Sequence, residues 1–247
     1  MWNCGLRRGL LGHDAGMLSR LLVLAVLCSS LLHAADKSPT ADPGKKGVKL
    51  GGGDLNKTGV LPPTTSSLAA KAANAFSKHD WPTARKAYRE MLEIDAKNAL
   101  TWANLGAVEQ QSKNAKEAIQ CFETSLKFNS QLVQSWIALG LLYSSKGDHY
   151  KAVSALTRAL HEDPTDARAH NYLAIEAKDL GWNDTALSEL QRAIDLNPEY
   201  GIAQFNLATM YLDQKPPSKT LARRHYEKAL ALGVEKDEVL ERKLAAQ

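Results

Sequence analysis

Cysteine is scarce in this chain of 247 residues, with three in all, and so few exclude a disulfide framework. The seven histidines, at positions 13, 33, 79, 149, 161, 170 and 225, form no His-Glu-x-x-His pair and join no cysteine cluster at metal spacing. The nearest approach in the sequence is His161-Glu162-Asp163, but adjacent residues at a helix end closed by Pro164 point in different directions. No metal site and no cofactor is expected. A Gly-x-Ser-x-Gly elbow is missing, and Gly51-Gly52-Gly53 lacks the Gly-Lys-Ser/Thr ending of a phosphate loop. The chain is therefore read as not an enzyme. A surplus of one charge sign is missing from most of it too: the net +4 is carried by residues 1–64, and residues 65–247 hold 23 basic and 23 acidic side chains. Such neutrality excludes the clustered Lys/Arg footprint of a nucleic-acid binder. The apolar run Leu21 to Leu32 is 12 residues, against the roughly 20 that a spanning helix needs.

What is present is a repeat. Residues Ala99 to Leu132, ALTWANLGAVEQQSKNAKEAIQCFETSLKFNSQL, contain landmarks that return 34 residues later: Trp102 as Trp136, Leu105-Gly106 as Leu139-Gly140, Ala118 as Ala152. A fixed period of this size marks an array of helical hairpins. Gly106, Gly140, Ala174 and Ala208 stand where the first helix of each repeat must press close to the second. A larger side chain there would overpack the crossing, at about 1–3 kcal/mol. Ala118, Ala152, Ala186 and Ala222 answer from the second helix, and Tyr88, Phe122, Leu156, Leu190 and Tyr226 fill the space beside them. One hairpin cannot bury its apolar stripe alone, so stability comes from stacking neighbours.

The Trp, Leu-Gly, Ala, aromatic and Pro landmarks resemble the tetratricopeptide repeat family. The resemblance implies an all-α fold, a right-handed α-α superhelix of five helix-turn-helix repeats at 65–98, 99–132, 133–166, 167–200 and 201–236, with a capping helix at 237–247. The first repeat is degenerate, with Leu68 in place of Trp and Ala72 at the Gly site. The fourth carries His170 in place of Trp, and His170 is read as a packed histidine. In the fifth, Lys215-Pro216-Pro217-Ser218 lengthens the turn and delays Ala222 by two residues, which a turn tolerates and a helix does not. In the tail, Val239, Leu240 and Leu244 are expected on one covered face. Trp182 falls at a turn, either exposed or flat over its neighbour. Cys121 is read as an apolar packing residue.

Ahead of the repeats, residues 1–35 read as a signal peptide: Arg20 gives the positive flank, Leu21 to Leu32 the apolar region, and Leu32-His33-Ala34 or His33-Ala34-Ala35 a small-residue cleavage site. Met17 is a candidate true start. Residues 36–64 mix Gly, Lys, Asp, Pro and Thr and read as a flexible linker. The expected location is secreted or periplasmic, with membrane contact only through the signal segment if it stays uncleaved. Leu27 before Cys28 fits a lipid-anchor signal poorly.

The family resemblance implies a protein or peptide partner, held along the inner surface lined by first helices. Helical spacing puts positions two, five, six, nine, twelve and thirteen of each first helix on that side. The candidate groove residues are Asn104, Ile137, Leu141, Arg168, Asn171, Tyr172, Phe205 and Asn206, amides for a peptide backbone and apolar area for side chains. Family members that clamp a terminal carboxylate set Lys, Asn, Asn, Lys and Arg there. This chain has Ala69, Ala73, Asn104, Gln134 and Ala138, a single match, which excludes that activity for repeats one to three. The expected function is a non-catalytic scaffold of the cell envelope. The alternatives are an envelope, pilus or secretin assembly factor and a regulatory repeat arm of a separate transferase.

Overall fold

Every 34 residues the chain turns on the same small device. Asp95, Asn129, Asp163 and Asn197 each end a helix and accept a hydrogen bond on Oδ1 from the backbone N–H two residues on, at 3.1, 3.0, 2.9 and 3.1 Å. An Asp or Asn side chain can imitate a turn in this way, so the helix stops and the next one is aimed. The computed structural model that shows this describes residues 63–246. The expected signal segment, Cys28, the triple glycine and nearly all of the linker lie outside the described residues. The chain divides into residues 1–66 and a repeat unit from Ser67 onward.

Eleven α-helices follow one another among the described residues: α1 Pro63–Ser77, α2 Trp81–Ile94, α3 Ala99–Gln111, α4 Ala115–Phe128, α5 Val133–Ser145, α6 His149–Glu162, α7 Ala167–Asp179, α8 Asn183–Leu196, α9 Gly201–Asp213, α10 Lys219–Ala231 and α11 Glu238–Ala245. From α3 to α10 they pair as antiparallel hairpins, and the second helix of each hairpin packs on the first helix of the next. This is the all-α superhelical solenoid that the period predicts. Several starts are capped by side chains: Asp80 accepts from Thr83 N–H, Asn98 from Thr101 N–H, Asp148 from Lys151 N–H and Asp166 from Ala169 N–H. Each such cap contributes about 1 kcal/mol.

The small-against-large rule holds inside the hairpins. A Cβ added to Gly106 would lie 3.1 Å from the Phe122 ring, and one added to Gly140 would lie 2.7 Å from Leu156 Cγ. Ala174 packs with Leu190, and Ala208 with Tyr226. Between the two helices of a hairpin the turn needs a positive φ at one position, and it recurs at His79, Lys113, Gly147 and Gly181, with φ of 58, 63, 76 and 79°.

The landmark tryptophans tie the device together. Trp102 Nε1 donates to the Ala96 carbonyl and Trp136 Nε1 to the Ser130 carbonyl, both at 2.8 Å. His170 reproduces the bond, with Nε2 3.1 Å from the Pro164 carbonyl. Its Nδ1 lies 2.6 Å from Glu189 Oε2. Both partners only accept, so both ring nitrogens carry protons. Burial opposes the charge, but the bonds to Glu189 and to Pro164 outweigh it and raise the pKa above the usual histidine value. The surroundings of the packed histidine thus favour its imidazolium form.

At the C-terminal end, Asp237 caps α11, and Leu240 and Leu244 are buried against Ala222 and Tyr226. Val239, expected beside them, is instead 47% exposed: the short helix leans its Leu240 edge onto α10 and turns the preceding residue outward. Trp182 is 43% exposed and meets Tyr150 edge to face at 6.2 Å.

Candidate interaction surfaces

Successive first helices α3, α5, α7 and α9 build one face of the array, and the eight expected groove residues divide there into two groups. Asn104, Leu141, Arg168, Phe205 and Asn206 keep partial access. Ile137 and Asn171 are fully buried and Tyr172 is 4% exposed, so these three do not offer free surface. The reason is geometric: the adjoining repeat covers part of this face, as Asn206 does at Asn171 and Tyr200 at Tyr172. Asn206 Nδ2 donates to Asn171 Oδ1 at 2.8 Å across this junction, so the two amides engage each other. Tyr172 bonds to Tyr200, and burial raises the pKa of both phenols.

Two further corrections concern residues that stay accessible. Phe205 leans toward the second helix of its own repeat, 6.2 Å from the Tyr226 ring. Arg168 folds back on Asp166, with Nη2 to Oδ2 at 2.7 Å. The side chains with most reach are therefore Leu100, 62% exposed, with Asn104 and Leu141. Lys178 closes the C-terminal end of this face by binding Asp213 at 2.7 Å.

The opposite face carries clefts that the sequence reading missed. One of about 770 Å³ lies between α2, α3 and α4, over Trp102 and Leu105, with Arg89, Glu93 and Glu117 at its rim. Another, of about 440 Å³, lies one repeat later between α4, α5 and α6, over Trp136 and Leu139, with Lys127 and Lys151 where the first has Glu93 and Glu117. The period itself was the available signal, since equivalent residues must line equivalent clefts. Cys121 borders the first cleft, but burial, the main cause, pushes its thiol up to about 11, which leaves no thiolate at neutral pH.

Buried charge marks two of the junctions between repeats. Glu109 is held by Arg85, Nε to Oε1 at 2.6 Å and Nη2 to Oε2 at 2.8 Å, and by Asn114 at 2.8 Å. The Arg85 bond is the main reason that its carboxyl titrates below the usual range, against the opposing effect of burial. Between repeats three and four, Glu176 Oε2 meets His149 Nδ1 at 2.8 Å, with Asp179 Oδ2 3.9 Å from the same nitrogen. No in-line motif contains this group; the junction brings it together.

Comparison with known proteins fits this architecture. Residues 99–132 and 133–166 match one tetratricopeptide repeat model and residues 173–237 another. Superkiller protein 3 of Schizosaccharomyces pombe is 27% identical over 58% of this chain and 11% of its own length. The SPINDLY protein of Hordeum vulgare, a probable UDP-N-acetylglucosamine–peptide N-acetylglucosaminyltransferase, is 29% identical over 61% of this chain and 17% of its own length. The chain thus spans less than a fifth of these relatives. Among solved structures, PilF of Pseudomonas aeruginosa superposes with a TM-score of 0.67 at 18% identity, covering 74% of this chain and 83% of PilF. YrrB, described as a tetratricopeptide repeat protein with an unusual peptide-binding site, gives 0.58 at 21% identity, covering 72% of this chain and 95% of YrrB.

Proposed function

Because the chain belongs to the tetratricopeptide repeat family, we propose that it is a non-catalytic scaffold that binds a protein or peptide segment on its first-helix face and works outside the cytoplasm. The observation that carries the binding site is the accessible strip of Leu100, Asn104 and Leu141 on α3 and α5. It combines apolar area with an amide able to donate to and accept from an extended backbone. The strip carries no charge of its own, which favours a partner segment recognised by shape and backbone rather than by a terminal carboxylate. Export rests on the sequence pattern of residues 17–35. Among the described residues no helix is long and apolar enough to cross a membrane.

The test is a set of variants against a partner captured by the purified chain. Changing Asn104 and Leu141 together to Ala should weaken binding by about 2 kcal/mol or more, the range of interface anchors, with the helical circular dichroism unchanged. Full affinity in that variant, with loss in Trp182→Ala, moves the site to the turns. N-terminal sequencing of the envelope fraction checks export, with a mature start near Ala35 or Asp36 expected.

A second reading is favoured by the similarity to SPINDLY: the repeats would present substrates to a separate transferase. Co-purification of a glycosyltransferase that loses its protein acceptor when the strip is changed would select it. An assembly role in the envelope requires instead that loss of the chain leave an envelope complex unassembled.

A further inference from the structure

The junction between repeats three and four holds a carboxylate in an unfavourable place. Glu176 is 3% exposed and occupies the position that repeats two, three and five fill with Val108, Leu142 and Met210, all buried. It also lies in the last turn of α7, as does Asp179, where the helix dipole is negative and favours cations. The one basic residue of that turn, Lys178, is drawn away to Asp213 at 2.7 Å. The contrast with Glu109 is direct. Glu109 has a guanidinium that forks onto both its oxygens, whereas Glu176 has an imidazole and a second carboxylate.

With a neutral imidazole, the three groups carry −2; with a protonated one they carry −1. Their ligand atoms, His149 Nδ1 and one oxygen each from Glu176 and Asp179, lie within 4.8 Å of one another. A tetrahedral ion with bonds of about 2.0–2.2 Å needs its ligand atoms about 3.3 Å apart, so side-chain shifts of about 1.5 Å at most would close the set. The His149 and Asp179 side chains are 26% and 29% exposed, which gives an ion a route in. Those residues sit at the start of α6 and the end of α7, so their backbones are already fixed by the solenoid.

We propose that His149, Glu176 and Asp179 form a binding site for a divalent transition-metal ion of the Zn²⁺ class, which clips α6 to α7 across the junction of repeats three and four. One imidazole and two carboxylates suit Zn²⁺ and its neighbours; they neutralise its charge and leave a position open to water or to an outside ligand. Binding displaces the proton between His149 Nδ1 and Glu176: a protonated ring releases it to solvent and keeps Nε2–H, whereas a neutral ring shifts to its Nε2–H tautomer and releases none.

The experiment uses the untagged full chain, stripped with a chelator and titrated with Zn²⁺ and separately with Co²⁺, Ca²⁺ and Mg²⁺. Zn²⁺ should bind one site that disappears in His149→Ala and in Asp179→Asn, with affinity falling about tenfold or more. The melting temperature of the parent chain should rise with Zn²⁺ concentration as mass action requires, and Co²⁺ should show d–d absorption that the variants lack. Circular dichroism shows that the variants remain folded; Asp179→Asn keeps shape and removes only charge, and His161→Ala serves as the control that keeps binding. Equal Zn²⁺ binding in parent and variants, or no Zn²⁺ effect on parent melting up to millimolar ion, overturns the site and leaves a His149–Glu176 ion pair. Ca²⁺ or Mg²⁺ acting as strongly as Zn²⁺ overturns the imidazole-ligated class.

Discussion

Repeats two and three and repeats four and five solve one packing problem with different side chains. In the first pair a tryptophan ties each first helix to the preceding turn and a glycine lets it approach its partner. In the second pair His170 replaces the tryptophan of repeat four, Ala174 and Ala208 replace the glycines, and the buried polar groups differ in kind: Thr101, Glu109, Ser125 and Ser135 in the first pair, His170, Asn171, Glu176 and Gln204 in the second. Two of their amide nitrogens, Asn171 Nδ2 and Gln204 Nε2, lack a partner among the described residues. In the N-terminal pair Glu109 is paired with Arg85, Thr101 with Asn98, and Ser125 with Ser135. Buried polar groups demand one arrangement of their neighbours, and the N-terminal pair meets that demand where the C-terminal pair leaves two amide nitrogens over.

Removing residues 237–247 should produce the largest effect, because it strips cover from the apolar face of repeat five. Leu240 and Leu244 lie over Ala222 and Tyr226, and Asp237 N–H donates to Tyr226 Oη at 2.8 Å. Burying a leucine stabilises by about 1.5–3 kcal/mol, and a solenoid end without polar cover aggregates. Lost soluble yield and a lower melting temperature are expected. Unchanged melting would make α11 a loose extension and the two halves equal in their need for cover.

In the N-terminal half the corresponding weak point is Arg85. Arg85→Ala leaves Glu109 buried without its cation and should cost about 3–5 kcal/mol by urea denaturation. The folded pKa of Glu109 is lowered, so its contribution is present above the unfolded carboxylate pKa and is lost as pH falls through the folded value. The parent should lose stability through that acid range more steeply than Arg85→Ala. A parallel pH dependence in the two proteins would show that the pair contributes nothing net.

The period and its landmarks were legible because they answer to backbone demands that every repeat shares: a small residue at Gly106 and Gly140, a break at Asp163-Pro164, a tolerant turn at Lys215 to Ser218. Burial at Ile137, Asn171 and Tyr172 was not legible from a single helical wheel. A wheel shows which side of a helix faces its hairpin partner, but the adjoining repeat adds a second covered side. The groups at His149 and Glu176 stand 27 residues apart, a distance that matches neither one helix nor one repeat, so no motif scan joins them. Asn104 and Leu141 stand among the groove candidates of the sequence, and only the packing separates them, still accessible, from the covered Ile137, Asn171 and Tyr172.

His170 offers a milder test of the comparison. Its folded pKa is raised, so the stabilisation is fully present below the unfolded histidine value and is lost as pH rises through the folded value. Melting measured from pH 5 to 9 should therefore fall with rising pH in the parent, and His170→Gln should flatten that part of the profile. Trp102 and Trp136 make the same carbonyl bond without titrating, so a tryptophan at position 170 should flatten it as well. A profile unchanged by either substitution would mean that the ring is not the charged donor that its two acceptors require.

The smallest effect belongs to the turns inside the hairpins, where the strain lies in repeats one and two and repeat three already shares the glycine of repeat four. Positions 79, 113, 147 and 181 share a left-handed backbone, but only the last two are glycine. For an L-residue with a side chain that conformation costs roughly 1–2 kcal/mol. Nothing lies within 4 Å of a Cβ built on Gly147 or Gly181, so the turn has room for a side chain and the penalty at Lys113 comes from the backbone. Glycine relieves it but enlarges the conformational freedom of the unfolded chain, which takes back about 0.4–1 kcal/mol. Lys113→Gly should thus stabilise by about 0.5–1 kcal/mol, read as a higher urea midpoint at unchanged slope. The reverse change, Gly147→Lys, should lower the midpoint by a similar amount. If Lys113→Gly destabilises instead, the Lys113 side chain holds the turn through contacts of its own, and the turn of repeat two is not a strained copy of the turn of repeat three.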